Sequence, residues 1–136
     1  MRKFVPILTL IFILLSCREE IIEPGNIIGK INEPVQLRDN GSYMFLLNAE
    51  SLTMNISVPS YINSSRTRFN IKLVDYESGY TNVIVQDLNM VEKFRYFAAE
   101  DVSYHTEILD GYVPTSINIR TQNFTGKIQI EFRKTL

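Results

Sequence analysis

Among the side chains of this sequence that could take part in covalent or acid–base chemistry, the most informative is the single cysteine, Cys17. A thiol can be alkylated, ligate a metal or act as a nucleophile, and its surroundings decide which. The only histidine, His105, stands two residues before Glu107. In a strand these two would share a face, opposite Val102, Tyr104 and Ile108, where they could exchange a proton or hold a metal. Neither G-x-S-x-G nor H-E-x-x-H occurs to accompany them. A lone histidine on a polar strand face is ordinarily just solvated, so no catalytic residue is assigned.

Acidic residues gather in turn-like stretches: Asp75 with Glu77, Glu100 with Asp101, and Asp110 before Gly111. Calcium takes about six to eight oxygen ligands, and none of the three has the spacing of a dedicated loop. Turn chemistry accounts for aspartate beside glycine, so no metal or cofactor is assigned. Four tyrosines, Tyr61, Tyr76, Tyr80 and Tyr112, fall in or beside expected loops. Exposed, they would stack on sugar rings or anchor a protein partner; buried, they would cap the ends of a core. The absence of tryptophan counts mildly against a sugar site.

What precedes Cys17 selects among the fates of its thiol. Arg2 and Lys3 make a positive start, and Phe4 to Leu15 form an almost wholly apolar run. That is the layout of an export signal, and it falls short of the roughly 20 apolar residues that a membrane-spanning helix needs. Leu14-Leu15-Ser16-Cys17 then resembles the lipobox of bacterial lipoproteins: aliphatic, tolerant, small, cysteine. The resemblance implies that residues 1–16 are removed and that Cys17 becomes the lipidated first residue. One acyl chain binds a bilayer only marginally, and stable anchoring needs two or more; lipoproteins of this class carry two or three. Arg18-Glu19-Glu20 is similar to the short basic-acidic tags that direct some Gram-negative lipoproteins to the outer face of the outer membrane. Those tags favour lysine first, and Arg18 departs from that. The expected location is therefore the outer membrane, lipid-anchored, with surface exposure implied by the tag.

Removal of residues 1–16 leaves 120 of the 136 and takes away only Arg2 and Lys3 among charged residues, lowering the formal charge from −1 to −3. That length suits one domain with a real core. Charges of both signs are interspersed without a basic run, which argues against a nucleic-acid partner. With Cys17 acylated no thiol remains for disulfides, thiol catalysis or metal ligation.

The elements that would position these residues read as strands. Residues 17–32 form the lipidated start and a tether, with a turn at Pro24-Gly25 and with Ile27, Ile28 and Ile31 apolar enough to pack. The domain proper spans 33–136. Val35 and Leu37 mark a strand stopping at Asp39-Asn40-Gly41; Tyr43, Phe45 and Leu47 form the next face; Leu52, Met54, Ile56 and Val58 alternate up to Pro59. Phe69, Ile71 and Leu73 follow, then a hairpin connection at Asp75 to Gly79 and a return strand at 80–86 whose Val83-Ile84-Val85 run predicts burial on both faces. Residues 87–99 fit a helix behind Asp87 or a strand with Phe94, Tyr96 and Ala98 inward; strand neighbours favour the strand. Val102 to Ile108 alternate, Pro114 suggests an edge or bulge near Val113 to Ile119, and Ile128, Ile130 and Phe132 alternate most clearly of all.

Eight or nine strands at intervals of roughly 8–12 residues indicate an all-β antiparallel sandwich. Their number fits a jelly roll of the kind seen in carbohydrate-binding modules, with an immunoglobulin-like sandwich as the alternative. The functional expectation is a membrane-anchored, non-catalytic binding or accessory module of the cell envelope, its partner a protein or a glycan. The alternatives are a carbohydrate-binding surface lipoprotein and a small envelope enzyme or enzyme inhibitor.

Overall fold

The computed structural model describes residues 30–135. Leu14, Leu15, Ser16 and Cys17, the Arg18-Glu19-Glu20 segment, and Ile27 and Ile28 lie outside the described residues. The elements are all strands: β1 (Val35–Asp39), β2 (Ser42–Pro59), β3 (Arg66–Gln86), β4 (Glu92–Ala98), β5 (Val102–Asp110) and β6 (Ser116–Lys134). Every pairing is antiparallel, in the order β1-β2-β6-β3-β4, and β5 also pairs with β3.

Strands of 18, 21 and 19 residues (β2, β3 and β6) are about three times the usual length. Each bends at the same level. Left-handed backbone occurs at Ser51 (φ 51°) in β2, at Asp75 (55°) and Gly79 (76°) in β3, and at Asn123 (46°) in β6. The ladder registers shift at those positions. Each long strand therefore crosses from one layer to another. Residues 42–50, 126–134 and 66–74 lie side by side between β1 and β5. Residues 52–59, 116–124 and 78–86 lie side by side with β4 at the margin. Six elements thus supply nine strand runs, and their neighbour order is that of a jelly roll. An immunoglobulin-like sandwich, whose last strand ends a three-stranded CFG sheet, does not place its C-terminal strand at the centre of both layers as β6 is placed.

The layers meet through aromatic rings. Phe69 lies 4.9 Å from Phe94 and 5.4 Å from Tyr96 on the opposite layer, and 5.1 Å from its sheet neighbour Phe132. Around it Phe45, Leu73, Val83, Val85, Ile119 and Ile130 are wholly shielded. Burial of each such side chain contributes about 1.5–3 kcal/mol, and with no cysteine among residues 30–135 no disulfide reinforces that packing. Ile84 is buried too but stands outside the core cluster, so the Val83-Ile84-Val85 run is covered on both sides as its composition predicts.

Several local expectations are corrected. Asp75 to Gly79 is not a hairpin: residues 80–86 pair with β6 and β4, not with 69–73. A sheet-to-sheet crossing needs positive-φ residues as much as a hairpin does, so the two read alike in sequence. Pro114 marks no edge; it precedes β6, where its carbonyl accepts a hydrogen bond from Ser60 Oγ and its missing N–H costs the ladder nothing. Ile31 does not pack and is 57% exposed. Its neighbour Asn32 docks instead, donating Nδ2 to the Glu50 carbonyl (3.1 Å) and accepting the Glu50 N–H at Oδ1 (2.8 Å). Asp87 caps no helix; its carboxylate accepts the N–H groups of Asn89 (2.9 Å) and Val91 (3.1 Å), closing a turn before β4.

Burial pushes the Tyr43 phenol up to about 12, against the pull of the Arg38 charge. Burial, and then Glu107, also push Tyr112 up to about 12. In the unfolded chain such groups ionise near pH ~10. The unfolded state therefore loses these protons first, and the contribution is intact below about pH 10 and lost as pH climbs towards about 12. The urea midpoint should fall across that window, and Tyr43→Phe should flatten the fall. A wild-type midpoint as flat as the variant's would contradict the assignment.

Candidate ligand-binding face

Alternation that fills the core also fixes what the second layer shows to solvent. With Leu52, Met54 and Ile56 packed against the core, Thr53, Asn55 and Ser57 point out. In β6 the same rule exposes Asn118, Arg120 and Gln122 opposite Ile117 and Ile119; in β3 it turns Asn82 away from Val83. In β4, Phe94 and Ala98 face inward, which sends Phe97 outward at 59% exposure. Register then aligns Asn55, Arg120, Asn82 and Phe97 in one row across four strand runs. One step nearer the bend, Tyr80 pairs with Gln122. The Tyr80 ring lies 5.2 Å from Phe97 with planes 35° apart, and its hydroxyl donates to Gln122 Oε1.

The two halves of this face differ in how far their polar groups are satisfied. Away from the bend, Gln86 Oε1 accepts Ser116 Oγ (2.9 Å) and Asn118 Nδ2 (3.1 Å), and Gln86 Nε2 donates to the Met90 carbonyl (3.0 Å). Arg95 grips Glu92 through two contacts of 2.8 and 2.6 Å, and that pairing holds the Glu92 carboxyl below its ordinary range. Nearer the bend, the side chains of Asn55, Asn82 and Arg120 have no hydrogen-bond or ion-pair partner among the described residues, and Asn82 Oδ1 is shielded from solvent without one. Between them lies an open depression of about 340 Å³ lined by Thr53, Met54, Asn55, Tyr80, Asn82, Arg120, Thr121 and Gln122. A ring lying on Phe97 and Tyr80 would present its substituents to this row. The lining holds no carboxylate and no imidazole; its polar groups are amides, hydroxyls and one guanidinium, an arrangement that can hold a molecule.

The four tyrosines singled out in the sequence do not form one site. Tyr80 stands on this face. Tyr76 sits at the bend, half-buried against the core, its hydroxyl donating to the Gly79 carbonyl (2.9 Å). Tyr61 and Tyr112 occupy the other end of the sandwich. Tyr61 is 67% exposed with Arg38 5.8 Å above its ring, whereas Tyr112 packs on the core with its hydroxyl unpartnered. His105 lies at the margin of the inward face and is only partly exposed: Tyr104 and Ile108 point outward, and His105 lies 4.8 Å from the Tyr96 ring, its Nε2 3.5 Å from Glu107 Oε2.

The acidic pairs serve the bend and the turns. Asp75 bonds to Lys127 Nζ (2.6 Å), Asp101 accepts the Tyr76 N–H (2.9 Å), and Asp110 accepts the Gly111 N–H (2.9 Å). Among the described residues no three His, Cys, Asp or Glu side chains gather as a metal site.

Sequence reasoning passed over Phe97, Asn82, Arg120 and Asn55. The signal for Phe97 was present: once Phe94, Tyr96 and Ala98 face the core, an aromatic residue is left on the solvent side. Alignment of the three polar residues depends on registers that no local pattern encodes.

No family model matches the chain, and no curated protein matches it by sequence. Among solved structures it is similar to a family 29 carbohydrate-binding module at a TM-score of 0.41 and 19% identity, covering 74% of this chain and 72% of that one. A variant of such a module complexed with mannohexaose aligns at 0.39 and 16%, over 74% of each chain. Another, complexed with cellulohexaose, aligns at 0.39 and 16%, again over 74% of each. A likeness this loose carries no ligand across.

Proposed function

We propose that this chain is a lipid-anchored, non-catalytic module that binds glycans at the bacterial outer membrane. The observation carrying the glycan reading is the exposed Phe97–Tyr80 pair beside the unpartnered row of Asn55, Asn82 and Arg120. Sugars present apolar C–H faces and rims of hydroxyls; an aromatic platform covers the first while amides and a guanidinium meet the second. Phe97→Ala should weaken binding of the mature chain to its preferred oligosaccharide by about tenfold, while Tyr61→Ala leaves it unchanged. Glycan-array screening followed by calorimetry checks both. Equal losses from the two variants would move the site to the opposite end of the sandwich.

Membrane attachment rests on Leu14-Leu15-Ser16-Cys17 and the apolar run before it. A thioether-linked diacyl group buries enough methylenes, at about 0.8 kcal/mol each, for lasting attachment. In detergent-phase partitioning, Cys17→Ser should shift the protein to the aqueous phase or leave it as unprocessed precursor. Unaltered processing and partitioning would overturn the lipid anchor.

A further inference from the structure

We propose that the depression between Asn55, Arg120 and Asn82 accepts a carboxylate, so that the ligand is an acidic, uronate-bearing glycan; this rests on the glycan reading above. The other ionic groups on this layer are committed. Glu92 is engaged by Arg95 at 2.6 Å, and Lys93 stands 3.3 Å from Asp87. Arg120 makes no ion pair among the described residues, and no carboxylate lines the depression with it. The Arg120 charge is felt by Glu92, which already faces Arg95.

Neutral sugars offer hydroxyls that donate as readily as they accept, and a site for them profits from strong acceptors. This one has no carboxylate: its charged group, Arg120, only donates, while the side-chain amides of Asn55 and Asn82 both donate and accept, with Asn82 Oδ1 the shielded acceptor left for a ligand hydroxyl. Thr53 Oγ1 is committed to Asn123, donating to its Oδ1 (3.3 Å) and accepting its N–H (3.0 Å), and Tyr80 to Gln122.

A neutral ligand laid over Arg120 would strip water from a cation and return no charge, which is costly. A carboxylate would meet the guanidinium fork through two parallel hydrogen bonds. With a formal net charge of −1, falling to −3 once residues 1–16 with Arg2 and Lys3 are removed, the protein supplies no general attraction for polyanions. Selectivity must then come from the depression itself.

The test is calorimetry of the mature lipidated chain in detergent against oligomers of galacturonate, glucuronate and mannuronate, each beside its methyl ester and beside a neutral-glycan panel. At least one free acid should bind about tenfold or more tightly than its ester, with affinity falling as salt rises. Arg120→Gln should erase that difference, whereas Arg133→Gln, on the other layer beside Glu131, should not. Equal binding of acid and ester, or binding of neutral glycans alone, would overturn the carboxylate while leaving glycan binding intact. Loss of acid binding in Arg133→Gln equal to that in Arg120→Gln would reduce the effect to surface charge and overturn it as well. No binding by any glycan, acidic or neutral, would defeat both readings.

Discussion

The bend shared by the three long strands is the constraint on which the rest of the molecule depends. A strand that changes layers must break its ladder, and the backbone groups freed there need other partners. The residues at the bend supply them. Ser51 N–H donates to Thr125 Oγ1 (2.9 Å), Thr121 Oγ1 to the Leu52 carbonyl (3.0 Å), and Ser78 Oγ to the Asn123 carbonyl (3.2 Å). Lys127 and Asp75 close the same level with an ion pair. Because all three strands turn together, their two runs stay hydrogen-bonded to the same neighbours on both layers, and one sheet folds onto itself around Phe69.

That geometry divides the second layer's outer surface. Away from the bend its polar side chains satisfy one another through Gln86. Close to the bend Thr53 bonds to Asn123 and Gln122 to Tyr80, and the side chains in the row just beyond are left without partners. The docking of Asn32 on Glu50 brings the start of the described chain to this same end.

The period-two alternation of apolar residues was enough to give the fold class, since Tyr43-Phe45-Leu47, Phe69-Ile71-Leu73 and Ile128-Ile130-Phe132 are buried as read, although Leu37, Tyr104 and Ile108 are exposed. The continuity of the long strands was not legible, because Asp75 to Gly79 carries the same residues for a crossing as for a hairpin. His105 misled for a different reason. At the sheet margin, packing on Tyr96 outweighs its polarity, and Tyr104 is displaced to solvent. The site was least legible, because Asn55, Asn82 and Arg120 are scattered in sequence and become neighbours only through β6, which lies between the other two strands.

Gly79 tests the shared bend most directly. Its φ of 76° suits glycine, and a Cβ there would run into the carbonyl oxygens of Gln122 and Asn123 on the adjoining strand. Gly111 has a similar φ of 85° but open space around it. In urea denaturation Gly111→Ala should cost about 1–2 kcal/mol, the backbone penalty alone. Gly79→Ala should cost clearly more, because strand must move away from strand at the crossing. Equal losses for the two variants would contradict a close-packed crossing at this level.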